Sequence, residues 1–175
     1  MSRTEWWQRG PVDDVPSLLQ PAAHILLQIK ESVREMVNDL SEEQWNARPA
    51  GVASIAFHVE HITGVVDRLF TYARGSSLTD AQFVAMRAEG APLVAADIPT
   101  LLQKFDAGID RAVAELRTID AATLGDFRGV GRAQLPSTVI GCLMHGAEHG
   151  MRHVGQLSVT VRVVRARLVS AGESA

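Results

Sequence analysis

The segment His145-Gly146-Ala147-Glu148-His149-Gly150-Met151-Arg152-His153-Val154-Gly155-Gln156 carries three of the six histidines of this chain at strict four-residue spacing. In an α-helix, residues four apart lie on one face, about 6 Å along the axis. Two neutral imidazoles so placed can chelate one metal ion. A third ligand then has to come from another element, and Phe57-His58-Val59-Glu60-His61 is the evident source. The segment therefore predicts an all-α fold, a helical bundle with a three-histidine metal site inside it.

The surrounding sequence supports a long helix from Thr138 to about Leu168. Projected at about 100° per residue, Leu143, Ala147, Met151, Val154, Leu157 and Val161 form one apolar stripe. His145, His149, His153 and Gln156 occupy another sector with Cys142, and Glu148 and Arg152 mark a solvated strip as a four-residue ion pair. Two buried faces on one helix predict a subunit contact, and hence a homodimer. Gly141, Gly146, Gly150 and Gly155 each cost a helix roughly 1 kcal/mol against alanine, which points to close helix approach or to room around an ion and its substrate.

Upstream, Leu19, Ala22, Leu26, Ile29, Val33, Met36 and Leu40 alternate three and four apart, predicting a first helix over 17–40. Residues 1–16, punctuated by Gly10, Pro11 and Pro16, read as an irregular lead-in, whose Trp6 and Trp7 should pack on the bundle or a partner. His24 falls opposite the first stripe and reads as a surface or interface residue. Ser41-Glu42-Glu43-Gln44 is a capping-box sequence before Trp45. Ser54 can cap a second helix to about Arg74, with Ile55, Val59, Ile62, Val65, Val66, Leu69 and Phe70 on its apolar face. His58 lies within that face and His61 at its edge, while Asp67, Arg68 and Arg74 fall on the other side.

Residues 75–97 form a long connection with a short helix around 78–87, ended by Gly90-Ala91-Pro92. Such a crossover between helices 2 and 3 is what parallel neighbouring helices in a bundle require. Pro99 opens a third helix to about Arg117, and 118–136 reads as a loop. The whole chain, 1–175, reads as one domain, and 175 residues are enough for a core without staples.

Composition excludes several classes. A net charge of −3 gives no basic surface for nucleic acid or an anionic membrane. Arg162, Arg165 and Arg167 cluster, but arginines at the end of a helix oppose its dipole. A single cysteine rules out an internal disulfide and a cysteine-rich zinc site. The absence of an apolar leader or an 18-residue apolar run fits a cytoplasmic protein without a membrane span.

Spacing alone leaves the ligand set open, since His145/His149 and His149/His153 are equivalent pairs sharing His149. His145-Gly-Ala-Glu148-His149 also matches a short metalloprotease pattern, but the projection turns Glu148 toward the solvated strip. The layout resembles the DinB-like (DinB/YfiT) superfamily of metal-binding four-helix bundles. Those proteins carry one histidine in the second helix, seven residues after a serine that opens it, as Ser54 precedes His61. They carry an H-x-x-x-H pair followed by G-Q in the fourth, as in His149-Gly-Met-Arg-His153 before Val154-Gly155-Gln156. The resemblance, over about Leu18 to Arg165, implies His61, His149 and His153 as metal ligands, with His58 and His145 as supporting or core residues.

Three imidazoles suit Zn, Ni or Fe better than Mg or Ca and leave a coordination position open. Relatives of this fold include S-transferases and isomerases that use small thiols such as bacillithiol, mycothiol or glutathione. The resemblance thus implies a metal-dependent thiol S-transferase acting on a small-molecule thiol and an electrophilic substrate. The alternatives are a non-catalytic, stress-linked metal-binding helical dimer and a metal-dependent hydrolase. The superfamily's name reflects induction by DNA damage and implies no DNA binding.

Overall fold

The computed structural model describes the backbone of residues 4–172 and the side chains of residues 4–166; the side chains of Arg167 and Leu168 lie outside the described residues. Four long helices make up the bundle: α1 (Gln20–Met36), α3 (Ile55–Ala73), α5 (Ile98–Leu116) and α6 (Val139–Gly172). Two short helices, α2 (Glu42–Asn46) and α4 (Asp80–Ala88), lie in the connections.

Local chemistry sets the helix starts. Pro21 sits in the first turn of α1 and Pro99 in that of α5, where a missing N–H leaves no bond unmade. The Ser41 side chain and the Gln44 side chain bond each other's backbone N–H at the start of α2, and Thr79 and Gln82 do the same for α4. The Ser54 hydroxyl accepts the Phe57 N–H at the start of α3.

The apolar stripes meet in one core. Leu19, Ala22, Leu26, Ile29 and Val33 are fully buried on the α1 side, with Phe105 and Ile109 from α5, Ile62 from α3, and Leu143, Ala147 and Leu157 from α6. α3 packs on α6 and α5, and α1 packs on the same two helices from the other side. Contacts fix the directions. Thr63 abuts Gly108 and Arg74 pairs with Glu115, so α3 and α5 run parallel. His58 meets His153 while Leu69 and Phe70 lie against Gly146, so α3 and α6 are antiparallel. Parallel neighbours cannot be joined by a tight turn, and residues 74–97 supply the expected crossover.

The segment 118–136 is not all loop. Strands β1 (Phe127–Val130) and β2 (Leu135–Thr138) pair antiparallel, and Arg128 Nε donates to the Ala73 carbonyl at the end of α3. The hairpin covers one end of the bundle. One other expectation changes. Arg68 is buried rather than on the solvated side of α3. The histidine sector of α6 faces α3 within the chain at His149 and His153, while His145 and Gln156 of the same sector are exposed. Trp6 packs near α1, its backbone N–H donating to Gln28, whereas Trp7 is 65% exposed. His24 ties the N-terminal segment to the bundle through the Gly10 carbonyl. Among the described residues no helix is long and apolar enough to cross a membrane.

Candidate metal centre

Antiparallel packing of α3 on α6 sets His61 opposite both His149 and His153. One ring nitrogen from each of the three lies within 4.8 Å of the others. His61 Nε2 stands 3.2 Å from His149 Nε2. Two nitrogens bound at about 2.0–2.1 Å to a tetrahedral ion lie about 3.3 Å apart, so this pair already has the required spacing. The ring planes of His149 and His153 are inclined by 26° with centroids 5.0 Å apart, and His153 is 4.4 Å from His61 by the same measure. All three rings are half-buried.

Each of two rings is held at its rear nitrogen. Glu89 Oε2 accepts a hydrogen bond from His61 Nδ1 at 2.6 Å, which turns Nε2 toward the other imidazoles. His153 Nδ1 lies 3.1 Å from His58 Nδ1. For His153 to present a lone pair at Nε2 its proton must sit on Nδ1, so it donates and His58 accepts. His58, only 2% exposed, thus serves as the support of His153. The helical projection put His58 deeper than His61, and it is deeper; the convergent nitrogen nevertheless belongs to His61. His145 is 53% exposed, contacts Glu148 Oε2 at 3.5 Å and stands edge-on to His149 with centroids 5.4 Å apart, outside the convergent trio.

Glu89 could not be found from local spacing. It follows α4 in the crossover and reaches His61 only because the chain turns sharply at Gly90. Gly90 has φ +80°, and a Cβ there would approach Phe57 to 3.0 Å. Its N–H donates to Glu60 Oε2 and its carbonyl accepts from Arg48. Arg68 Nη1 donates to Glu89 Oε1 at 2.6 Å. The pair lies over Gly64, where a Cβ would sit 2.5 Å from Glu89 Oε1 and 2.6 Å from Arg68 Nη1. Phe57 stacks on His61 at 5.2 Å and walls the trio on one side.

The electrostatics favour a cation among neutral rings. Burial, reinforced by the charge of His61, pushes His58 from its usual 6.5 to about 4. Burial and the surrounding histidines push His153 to about 4 as well, and burial followed by the His61 charge lowers His149. Burial pushes the Glu89 carboxyl up, but its bonds from His61 and Arg68 prevail and hold it below the usual carboxylate range. Neutral imidazoles with a carboxylate behind them fit a divalent transition ion, and the group could hold one. Cys142, 1% exposed with its Sγ near Ser137 Oγ, is a small core residue as expected.

No curated protein matches the sequence. Among solved structures, the chain is similar to a conserved protein from Enterococcus faecalis, with a TM-score of 0.69 and 19% identity. That likeness covers 85% of this chain and 97% of the other, and it shows the shared fold. A family model described as the DinB superfamily matches residues 26–157, a span that takes in α3, the crossover and the histidine-bearing part of α6. By this match the chain belongs to the DinB superfamily, whose members include metal-binding proteins.

Proposed function

We propose that His61, His149 and His153 ligate a divalent transition ion, Zn, Ni or Fe, and that the protein is a metal-dependent S-transferase acting on a small thiol. The observation that supports this most is the convergence of three half-buried ring nitrogens, two of them fixed from behind by Glu89 and His58. A bound ion of this class supplies a Lewis acid that lowers the pKa of a thiol or water and leaves a position open for it.

The chain's own residues do the rest. Glu89 and His58 hold the His61 and His153 rings in the tautomers that face inward. Phe57 gives the thiol's apolar portion a wall and keeps water from one side of the trio. Transfer forms a bond from the thiol sulfur to the electrophilic carbon and breaks the bond from that carbon to its leaving group. The thiol proton departs to solvent through the open side, where His145 lies exposed. Cys142 is too deeply buried to act as the nucleophile.

Protein purified without an affinity tag should contain about one metal ion per chain and lose it in His61→Ala, His149→Ala and His153→Ala. Combinations of small thiols, electrophiles and metals should then yield a conjugate only with the loaded wild type. Retention of the ion by all three variants would remove the site, and an intact site with no conjugate from any combination would remove the transferase. A non-catalytic reading draws on one observation, that the site joins α3, α6 and the crossover. It expects metal binding without turnover.

A further inference from the structure

On the face of α3 away from α6, α4 stands over a groove between α3 and α5 of about 780 Å³. Small residues make up part of its lining, Gly64 on α3, Ala85 and Ala88 on α4 and Ala107 on α5, beside Leu93 and Leu101. α4 buries none of its own residues. It is held instead by polar bonds, from Gln82 to Asp67 and Thr71 and through Glu89 to Arg68. The groove is therefore a slot with α4 along one side, open to solvent at Asp67, Lys104 and Arg111.

Most of its charges are arranged in opposition, with Asp97 at the start of α5 as an acid on the otherwise basic side. Glu60 and Asp67 lie two turns apart on α3, and Lys104 and Arg111 lie two turns apart on α5, a separation of about 10 Å in each case. Because α3 and α5 are parallel with Thr63 beside Gly108, Glu60 is level with Lys104 and Asp67 with Arg111. Yet neither basic side chain forms an ion pair with these acids among the described residues. Lys104 acts on Glu60 only across the gap, opposing the upward push that burial gives this carboxyl. One oxygen of Glu60 is taken by the Gly90 N–H and one of Asp67 by Gln82, leaving the other oxygen of each for an incoming group.

We infer that this groove binds a short zwitterionic molecule of amino-acid chemistry, its ammonium group on the Glu60–Asp67 wall and its carboxylate on the Lys104–Arg111 wall. The apolar body of the ligand lies over Gly64 and Ala107. The ligand's two charges then lie on facing helices, whose axes in packed pairs stand about 8–10 Å apart, a gap that two to three residues of extended chain, about 7–10 Å long, can bridge. This site is separate from the histidine trio, with Glu89 in the wall between them.

Isothermal titration of the full-length protein with L-alanyl-L-leucine tests the inference, alongside the N-acetylated and C-amidated forms that each lack one charge. The free dipeptide should bind with a Kd below about 1 mM. Removing either charge should weaken binding about tenfold. Ala107→Trp, at an exposed position, should abolish binding, and the double variant Lys104→Met/Arg111→Met should reproduce the effect of amidation. His149→Ala, which addresses the metal reading alone, should bind the dipeptide as the wild type does. No binding up to 10 times that concentration, equal binding of all three peptides, binding unchanged by Ala107→Trp, or loss of binding in His149→Ala would each overturn it.

Discussion

Replacing Glu89 with glutamine keeps the side chain's shape and removes the charge faced by His61 Nδ1 and Arg68. Loss of a carboxylate behind a ligand histidine costs about 10–100-fold in metal affinity, and Glu89→Gln should show a drop of that size in competition with a chromophoric chelator. His145→Ala, at a 53%-exposed position outside the trio, should keep full metal content. The reverse ranking of these two variants would place His145 in the site and Glu89 outside it. Protons compete for the same rings. His58 and His153 have folded pKa values lowered from 6.5 to about 4, so the unfolded chain takes up protons first as pH falls. Their contribution to stability is complete above 6.5 and is lost on descending to about 4. For the buried His58 alone the loss is about 3 kcal/mol. Urea unfolding of metal-free protein should show this decline, with a shallower one in His58→Leu; stability flat over that range would show that the rings are not desolvated. Sequence spacing put His145, His149 and His153 on one helix face and let both His58 and His61 look toward it, and only the family resemblance singled out His61, His149 and His153. Glu89 was hidden because its position depends on the turn at Gly90, although Arg68, seven residues after His61, projects onto the same side of α3.

Within α6 the glycines divide by what surrounds them. A Cβ at Gly150 would lie 2.8 Å from Ile29 Cδ1, in the fully buried core, whereas one at Gly155 meets nothing within 4 Å. Both alanine variants gain roughly 1 kcal/mol of helix propensity, but Gly150→Ala also overpacks at about 1–3 kcal/mol. Gly155→Ala should therefore be the more stable of the two by about 1–3 kcal/mol in chemical unfolding. Equal stabilities would mean that α1 and α6 can separate at no cost. The expected reason for glycine, close approach or space, thus holds at Gly150; at Gly146 a Cβ would make only ordinary contacts, 3.5 Å from Leu69 and 3.6 Å from Phe70, and at Gly155 none. Elements with a strong period were readable in advance: the stripes of α1, α3, α5 and α6 and the caps at Ser41 and Ser54 all appear. The hairpin was not, since each strand has only four residues, with Gly129 and Pro136 paired across it. Neither strand offers the apolar alternation that marks a half-buried strand.

For the molecule as a whole, the question is whether an ion at the trio is needed for folding. Ligands from α3 and α6 would clamp antiparallel helices, and Glu89 would add the crossover to the clamp. The apolar core does not depend on that clamp, because fully buried residues from α1, α3, α5 and α6 join in one cluster. A chain of 175 residues is long enough to bury a core that folds without a staple. Chelation should therefore lower Tm but leave a single cooperative transition and an unchanged helical circular dichroism spectrum. With free metal at a thousand times its Kd the linkage is about 4 kcal/mol, or on the order of 8–16 °C for a domain of this size. A shift of that kind with cooperativity preserved describes a preformed site that binds an ion and keeps a position for substrate. Loss of the cooperative transition on chelation would instead make the ion part of the fold and favour the non-catalytic reading. The decisive pairing is the melting curve of the metal-free chain with the same chain's conjugate yield after reloading, since a preformed site must recover both.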